Sequence, residues 1–424
     1  MTFDTPLTSF RVVPCSVFLA GFLFHSAFCQ SLAPRQDLTC QDGSGEYSTR
    51  LFTGTTVSVG PLLKGGFAER ACTAKLEWGS QELTVASGVA QVAIDVLGAD
   101  LGFDEPVVAF QIDNTGNETD RIYQIFSLRK TPHLLYTIKG GDIYSAADTD
   151  LDGQVEIWSD DASGIDGFEG VPAKFYDFAP TVVLRFQKKR LVDVSPEFQP
   201  HYDDQIAALR AQMNDQELAA FKNSDGVLGP NNSLRGDELH RLERTKIKVL
   251  EIVCAYLYSG REAEAWSALQ EMWPSPDLAR IRNGIVSVRQ RGILRDINRS
   301  AQSSKRKHHA PIYDATTATS GNKSLDTLDP SGGAPDVSEQ KPAIVPPEPI
   351  LIRRPPPDEV ENLRAKNTKL ELVVDAAGKV RSVNVVNGTE TPWTRVSAGW
   401  HFTPARRDGN PVACRFLLSV DIMR

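Results

Sequence analysis

Two hydrophobic periods follow one another along the chain, separated from a short final patterned stretch by a segment that has none. Between about residues 45 and 195, runs such as "QVAIDVLGADLG", "EPVVAFQID", "IYQIFSLRK" and "TVVLRFQKKRLVDV" are rich in β-branched and aromatic residues and are divided by Gly, Asn, Asp or Pro. Runs of this kind predict short strands, and their number predicts an all-β domain over 36–195, built as a sandwich or a partial propeller. From Pro196 the period lengthens to that of a helix. Asn214 with Glu217 forms a capping box, Leu218 and Phe221 follow on one face, and Asp225-Gly226 stops the element. A longer helix carries Leu239, Leu242, Ile247, Leu250, Cys254 and Leu257 and ends at Ser259-Gly260, and further helices lie on either side of Pro274. An α-helical middle domain is therefore expected over 196–296.

Residues 297–358 offer too few apolar side chains to offset chain entropy, so a disordered, proline-rich linker is expected there. Its end, "KPAIVPPEPILIRRPPP", is expected to be an extended polyproline II spacer. The pattern returns over 359–424. Leu370, Leu372 and Val374 form one arm of a hairpin, Ala376-Ala377-Gly378-Lys379 its turn, and Val383 and Val385 the other arm. An amphipathic segment around Trp393, Val396 and Trp400 follows, and then Val412, Cys414, Phe416, Leu418, Val420 and Ile422 alternate without a miss. The order β-β-α-β predicts a small α+β domain. Its last strand is a template for a partner strand, because a sheet edge presents unpaired N–H and C=O groups. Ala413, Arg415, Leu417 and Ser419, interleaved with the apolar set, are the expected contact residues.

With 424 residues the chain has room for two or three domains. A net charge of −8 leaves no electrostatic footprint for nucleic acid, which is excluded as a partner class. The basic run at Lys305-Arg306-Lys307 falls in the linker and reads as a solvated spacer. Near the start, Arg11 precedes an apolar run from Val12 to Phe28, and Ala27-Phe28-Cys29 fits a peptidase site before Gln30. Residues 1–29 therefore read as a signal peptide, which implies a periplasmic or exported protein. The alternative is an uncleaved inner-membrane anchor, although Pro14 and His25 interrupt a run already shorter than the roughly 20 apolar residues a span prefers. Export permits disulfides, and Cys40 with Cys72 is the expected pair. Cys254 and Cys414 stand at apolar positions and are expected to be small buried hydrophobes.

Candidate chemistry concentrates in "DTDLDGQVEIW". Asp148, Asp150 and Asp152 occupy alternate positions, Gly153 permits a sharp turn, Gln154 offers a backbone carbonyl and Glu156 stands at the ninth place. Ca²⁺ takes about six to eight oxygen ligands, and this spacing supplies most of them. Ser159 holds the twelfth place, where an EF-hand has its bidentate Glu, and strand-like residues flank the loop. The loop instead resembles the calcium loops of integrin-type propeller repeats, with the pattern D-x-D-x-D-G-x-x-D between strands, over residues 134–160.

The final stretch resembles the C-terminal domain of TonB-type energy transducers. The matching residues are Asp375 and Gly378-Lys379-Val380, then Trp400, Phe402, Pro404-Ala405, Asp408-Gly409 and Pro411-Val412 before the alternating strand. The resemblance spans residues 360–424 and implies a module in the cell envelope that captures a protein or peptide by strand addition, such as a segment of an outer-membrane receptor. It also leaves open a homodimer formed through the same module. The segment between hairpin and last strand is shorter than the family's helix. No HExxH, GxSxG, P-loop or dinucleotide glycine motif occurs, and His133, His201, His240 and His401 stand in no catalytic spacing. The expected function is thus non-enzymatic binding in the envelope. The rivals are an anchored energy transducer and an envelope hydrolase with its site in the β domain.

Overall fold

The computed structural model describes residues 38–114, 121–170, 179–228, 236–297, 313–314, 344–356, 359, 368–386 and 391–420. The expected signal peptide, Ile422 and most of the expected linker lie outside them. Among the described residues no helix is long and apolar enough to cross a membrane.

Strands dominate the first part of the chain, as its pattern requires. They are β1 (Thr39–Gln41), β2 (Tyr47–Arg50), β3 (Thr56–Lys64), β4 (Phe67–Trp78), β5 (Gln81–Val89), β6 (Gln91–Ala99), β7 (Val107–Asp113), β8 (Ile122–Ser127) and β9 (His133–Lys139). Next come β10 (Tyr144–Ala147), β11 (Glu156–Asp160), the single helical turn α1 (Ala162–Ile165), β12 (Thr181–Gln187) and β13 (Arg190–Asp193). They form three antiparallel sheets in the orders β2-β3-β4-β5, β1-β6-β7-β8-β9 and β10-β11-β12-β13.

The centre of the β1–β9 sheet is buried on both faces. Val108, Phe110 and Ile112 join Val57, Val59 and Leu76 of the first sheet in one core, while Val107 and Ala109 join Ile157, Val182 and Leu184 of the third sheet in another. Adjacent residues of β7 thus enter opposite cores, which is why "EPVVAFQID" reads as continuously apolar rather than alternating. Cys40 of β1 and Cys72 of β4 are bridged, their sulfurs 2.06 Å and their Cα atoms 5.8 Å apart. The bridge ties the first sheet to the second across 32 residues of sequence, a loop length that contributes about 3.5 to 4 kcal/mol in the chain-entropy model. Cys254 and Cys414 are buried.

The helices are α2 (Gln199–Ala211), α3 (Asp215–Lys222), α4 (Asp237–Tyr258), α5 (Glu262–Met272), α6 (Leu278–Arg291) and α7 (Leu294–Ile297). Asn214 caps α3 by accepting from the amides of Gln216 and Glu217. The change of period separates these helices from the β region at residue 196, but their apolar faces complete the core of the third sheet. Tyr202, Leu250, Val253, Leu257 and Ile285 pack with Ile157, Val182 and Leu184. The fully buried Asp161, just after β11, fixes this junction by accepting from Tyr258 Oη at 2.6 Å and from the amide of Ile293 at 2.7 Å. It therefore serves the helix interface, not the acidic loop nearby.

The proline-rich stretch departs most from expectation. Residues 344–356 include β15 (Ile344–Val345) and β16 (Pro349–Leu351), after the two-residue β14 (Tyr313–Asp314). Strand β16 lies against the first β core: Leu351 is 3% exposed, and Tyr47 Oη donates to the carbonyl of Ile350 at 3.3 Å. Ile350 and Leu351 supply the burial that a spacer made only of proline would lack, and prolines are tolerated where a short edge strand needs no donor. This part of the expected tether is packed structure.

The last module contains β17 (Lys369–Val374), β18 (Val380–Val386), α8 (Pro392–Ser397), β19 (His401–Phe402), β20 (Ala405–Arg407), β21 (Asn410–Val412) and β22 (Cys414–Ser419). Its main sheet has the order β14-β22-β17-β18, with β22 antiparallel to β17 and β14 parallel to β22. Leu370, Leu372, Val374, Trp400, Phe402, Cys414 and Phe416 form its core. The single long final strand expected from Val412 onward is divided: Val412 pairs with Ala405 in β21, and the chain changes partner at Ala413 before β22 begins on β17.

Candidate functional site

The acidic loop runs from β10 to β11 through two left-handed residues, Leu151 at φ +60° and Gly153 at φ +85°. The reversal folds Asp148 and Glu156 toward one another. Asp148, Asp150 and Glu156 each bring a carboxylate oxygen within 4.8 Å of the others. Asp148 and Glu156 are fully buried, whereas Asp150 is exposed. The amide of Gly153 donates to Asp148 Oδ2 at 3.2 Å, and the amide of Thr149 to Glu156 Oε2 at 2.8 Å. Asp148 Oδ1 is left buried without a hydrogen bond of good geometry, a costly state for an ionised oxygen.

Asp152 is not one of the three convergent carboxylates. Asp152 accepts from the backbone amide of Gln154 at 2.8 Å and from its side-chain Nε2 at 2.7 Å. Arg185 of β12 provides the local positive charge, 3.4 Å from Glu156 Oε1, 4.0 Å from Asp152 Oδ2 and 2.6 Å from Glu197 Oε2. Three carboxylates around one point, with one cationic side chain behind them, form a hard-oxygen donor set of the kind a divalent cation takes.

Burial pushes the Asp148 carboxyl up to about 7, helped by the neighbouring charges of Asp375 and Asp152 and opposed by the amides of Gly153 and Ala376. Glu156 is pushed up to about 8, again mainly by burial, against the Thr149 amide and Arg185. Acids whose folded values lie above their unfolded ones hold extra protons in the native state. Chelator-treated protein is accordingly expected to lose stability as pH rises from about 4 to 8. Urea midpoints measured across that range check this; a midpoint that climbs steadily to pH 8 would contradict the arrangement.

The C-terminal hairpin closes over this loop. Asp375 Oδ1 accepts from the amides of Ala377 and Lys379, each at 2.9 Å, and shapes the turn between β17 and β18. Its Oδ2 accepts from the amide of Asp148 at 3.2 Å. Ala376 and Ala377, 0% and 5% exposed, enter the core shared by the third sheet and the helices. Lys379 Nζ reaches Asp95 Oδ1 of β6 at 2.6 Å and Ser145 Oγ of β10 at 3.2 Å. Asp95 also accepts from Tyr123 Oη at 2.7 Å and from the amide of Ala146 at 2.8 Å. Gly378 has φ +84°, and a Cβ there would meet the Phe402 carbonyl oxygen at 2.0 Å, so the turn admits only glycine.

The edge of the closing strand is defined by its ladder. The amide of Val420 donates to the carbonyl of Thr368 at 3.1 Å, and the register continues without a shift through Leu418↔Leu370, Phe416↔Leu372 and Cys414↔Val374. Alternation in an antiparallel pair then turns the backbone groups of Cys414, Phe416 and Leu418 toward β17 and those of Arg415, Leu417 and Ser419 away from it. On that outer side β14 covers only the Cys414–Arg415 end. Of the four expected contact residues, Ala413 is 2% exposed and lies between β21 and β22, so its side chain is enclosed within the module. Arg415 is exposed, Leu417 and Ser419 half-buried.

Among the described residues the histidines form no constellation. His201 stacks edge-on against Trp158, with ring centroids 4.8 Å apart, and burial lowers its pKa. His240 is 3.1 Å from Glu243 one turn along α4. Comparison with protein-family models, curated proteins and solved structures finds no match to the chain. The acidic loop could be found from local spacing. Asp95, Arg185 and Asp375, which set its electrostatics and its lid, come from distant positions that no local motif connects.

Proposed function

We propose that the chain is a non-enzymatic binding protein of the cell envelope whose closing strand takes up an extended peptide by strand addition. The observation that carries this reading is the outer edge of β22. Beyond the short cover of β14, the backbone groups of Leu417 and Ser419 point away from β17 with no further strand of the described residues on that side. An incoming strand gains main-chain hydrogen bonds there, and the side chains of Leu417 and Ser419 grade its sequence. The β domain is the platform that holds the module, and the acidic loop is a Ca²⁺ site that stabilises the platform. Tyr313 and Asp314 already pair with the start of β22, so the strand accepts an added neighbour without rearrangement.

Peptides selected from a displayed library of extended sequences on the full chain test the proposal. Leu417→Pro removes an outward donor while leaving every bond to β17 in place. Selected peptides are expected to bind this variant at least ten-fold more weakly, with its thermal melt nearly unchanged. Equal binding to both proteins would reject strand addition at this edge.

A further inference from the structure

The hairpin tip and the acidic loop are one assembly, although 227 residues separate Asp148 from Asp375 in sequence. Both carboxylates are fully buried, and Asp375 accepts the very amide that belongs to Asp148. Each is a negative charge in the other's low-dielectric surroundings, where repulsion is far less screened than in water. Two cationic groups stand near Asp375, Lys379 and Arg381, but Lys379 Nζ is engaged by Asp95. On the loop side, Arg185 is shared among Glu156, Asp152 and Glu197. Asp148 Oδ1 makes no hydrogen bond of good geometry, and Asp148 belongs to the convergent carboxylate set. The missing charge at this joint is therefore positive, and it is missing where three oxygens converge.

We propose that a divalent cation held by Asp148, Asp150 and Glu156 is linked to the seating of the C-terminal hairpin, so that the cation fastens the strand-adding module to its platform. The inference rests on the reading of the loop as a cation site and adds its regulatory consequence. A cation neutralises the charge that Asp148 turns on Asp375 and so favours the seated hairpin. By thermodynamic reciprocity the seated hairpin, through the negative charge of Asp375, raises the affinity for the cation by the same factor. The coupling acts through a direct contact between the two elements and requires no transmission through the core.

The test uses the full chain, with calcium alone as the probe. Amide exchange at Asp148, Ala377 and Lys379 is measured with calcium and with chelator, and calcium titrations compare the unaltered protein with Asp375→Asn. Expected are roughly ten-fold slower exchange at those three amides when calcium is present and roughly ten-fold weaker calcium binding by the variant, within the usual range of coupling between sites. The exchange arm needs no variant, so a folding defect in Asp375→Asn leaves a decisive measurement. Calcium binding of equal affinity in both proteins, with hairpin exchange unchanged, overturns the linkage while preserving the cation site. Absence of calcium binding in the unaltered chain overturns both.

Discussion

Trp400→Ala is expected to destabilise the C-terminal module by about 3–5 kcal/mol, the usual cost of deleting a buried aromatic side chain. Trp400 is 0% exposed, and it meets Trp393 of α8 edge-to-face with ring centroids 6.2 Å apart. Its Nε1 donates to the carbonyl of Arg353 at 2.8 Å, so the same side chain fixes the proline-rich segment against the module. The substitution thus opens a cavity in the core that Trp400 shares with Leu372 and Phe416, and it removes the side-chain donor to the Arg353 carbonyl. Urea unfolding monitored by far-UV circular dichroism should show the module melting before the β platform. A change below about 1 kcal/mol would mean that the module's core does not close around this residue.

Lys379→Met is expected to cost about 3 kcal/mol and to unseat the hairpin rather than unfold it. The ammonium group lies 2.6 Å from Asp95, whose side chain is 7% exposed. Removing one partner of such a pair leaves a buried carboxylate uncompensated, which is far more destabilising than never having built the pair. Asp95 retains the donors from Tyr123 and Ala146, so the platform itself is expected to survive. The signature is faster amide exchange at Ala377 and Lys379, with exchange in β3 and β4 unchanged. Lys379→Arg is expected to recover part of the loss. Uniform destabilisation of every strand, or none, would contradict the docking role.

Much of this architecture is legible from local pattern. The β region, the helical stretch, the cap at Asn214 and the pairing of Cys40 with Cys72 match what periods, turn residues and an expected export signal suggest, all short-range signals. The acidic loop is also visible, but only as a spacing. Its alternate-Asp pattern includes Asp152, which the backbone instead directs to Gln154, because the left-handed turns at Leu151 and Gly153 decide which oxygens converge. The hairpin of the final module reads clearly, yet its tip, Ala376-Ala377, looks like an exposed turn and is buried in another core. Small apolar residues in a turn are compatible with either fate, and only the approach of β10 and the acidic loop decides between them. The proline-rich stretch misleads in the same way. Its composition favours an extended chain, and extended chain is also what β15 and β16 need to pair with β20 and β19.

Residue-resolved amide exchange of the full chain, with and without a selected peptide, measures strand addition most directly. The amides of Leu417 and Ser419 should exchange freely in the unbound protein and become protected when peptide binds, while those of Phe416 and Leu418 are slow in both states because β17 already holds them. If peptide binding leaves Leu417 and Ser419 unprotected, or if they are protected beforehand, the outer edge of the closing strand is not the binding surface.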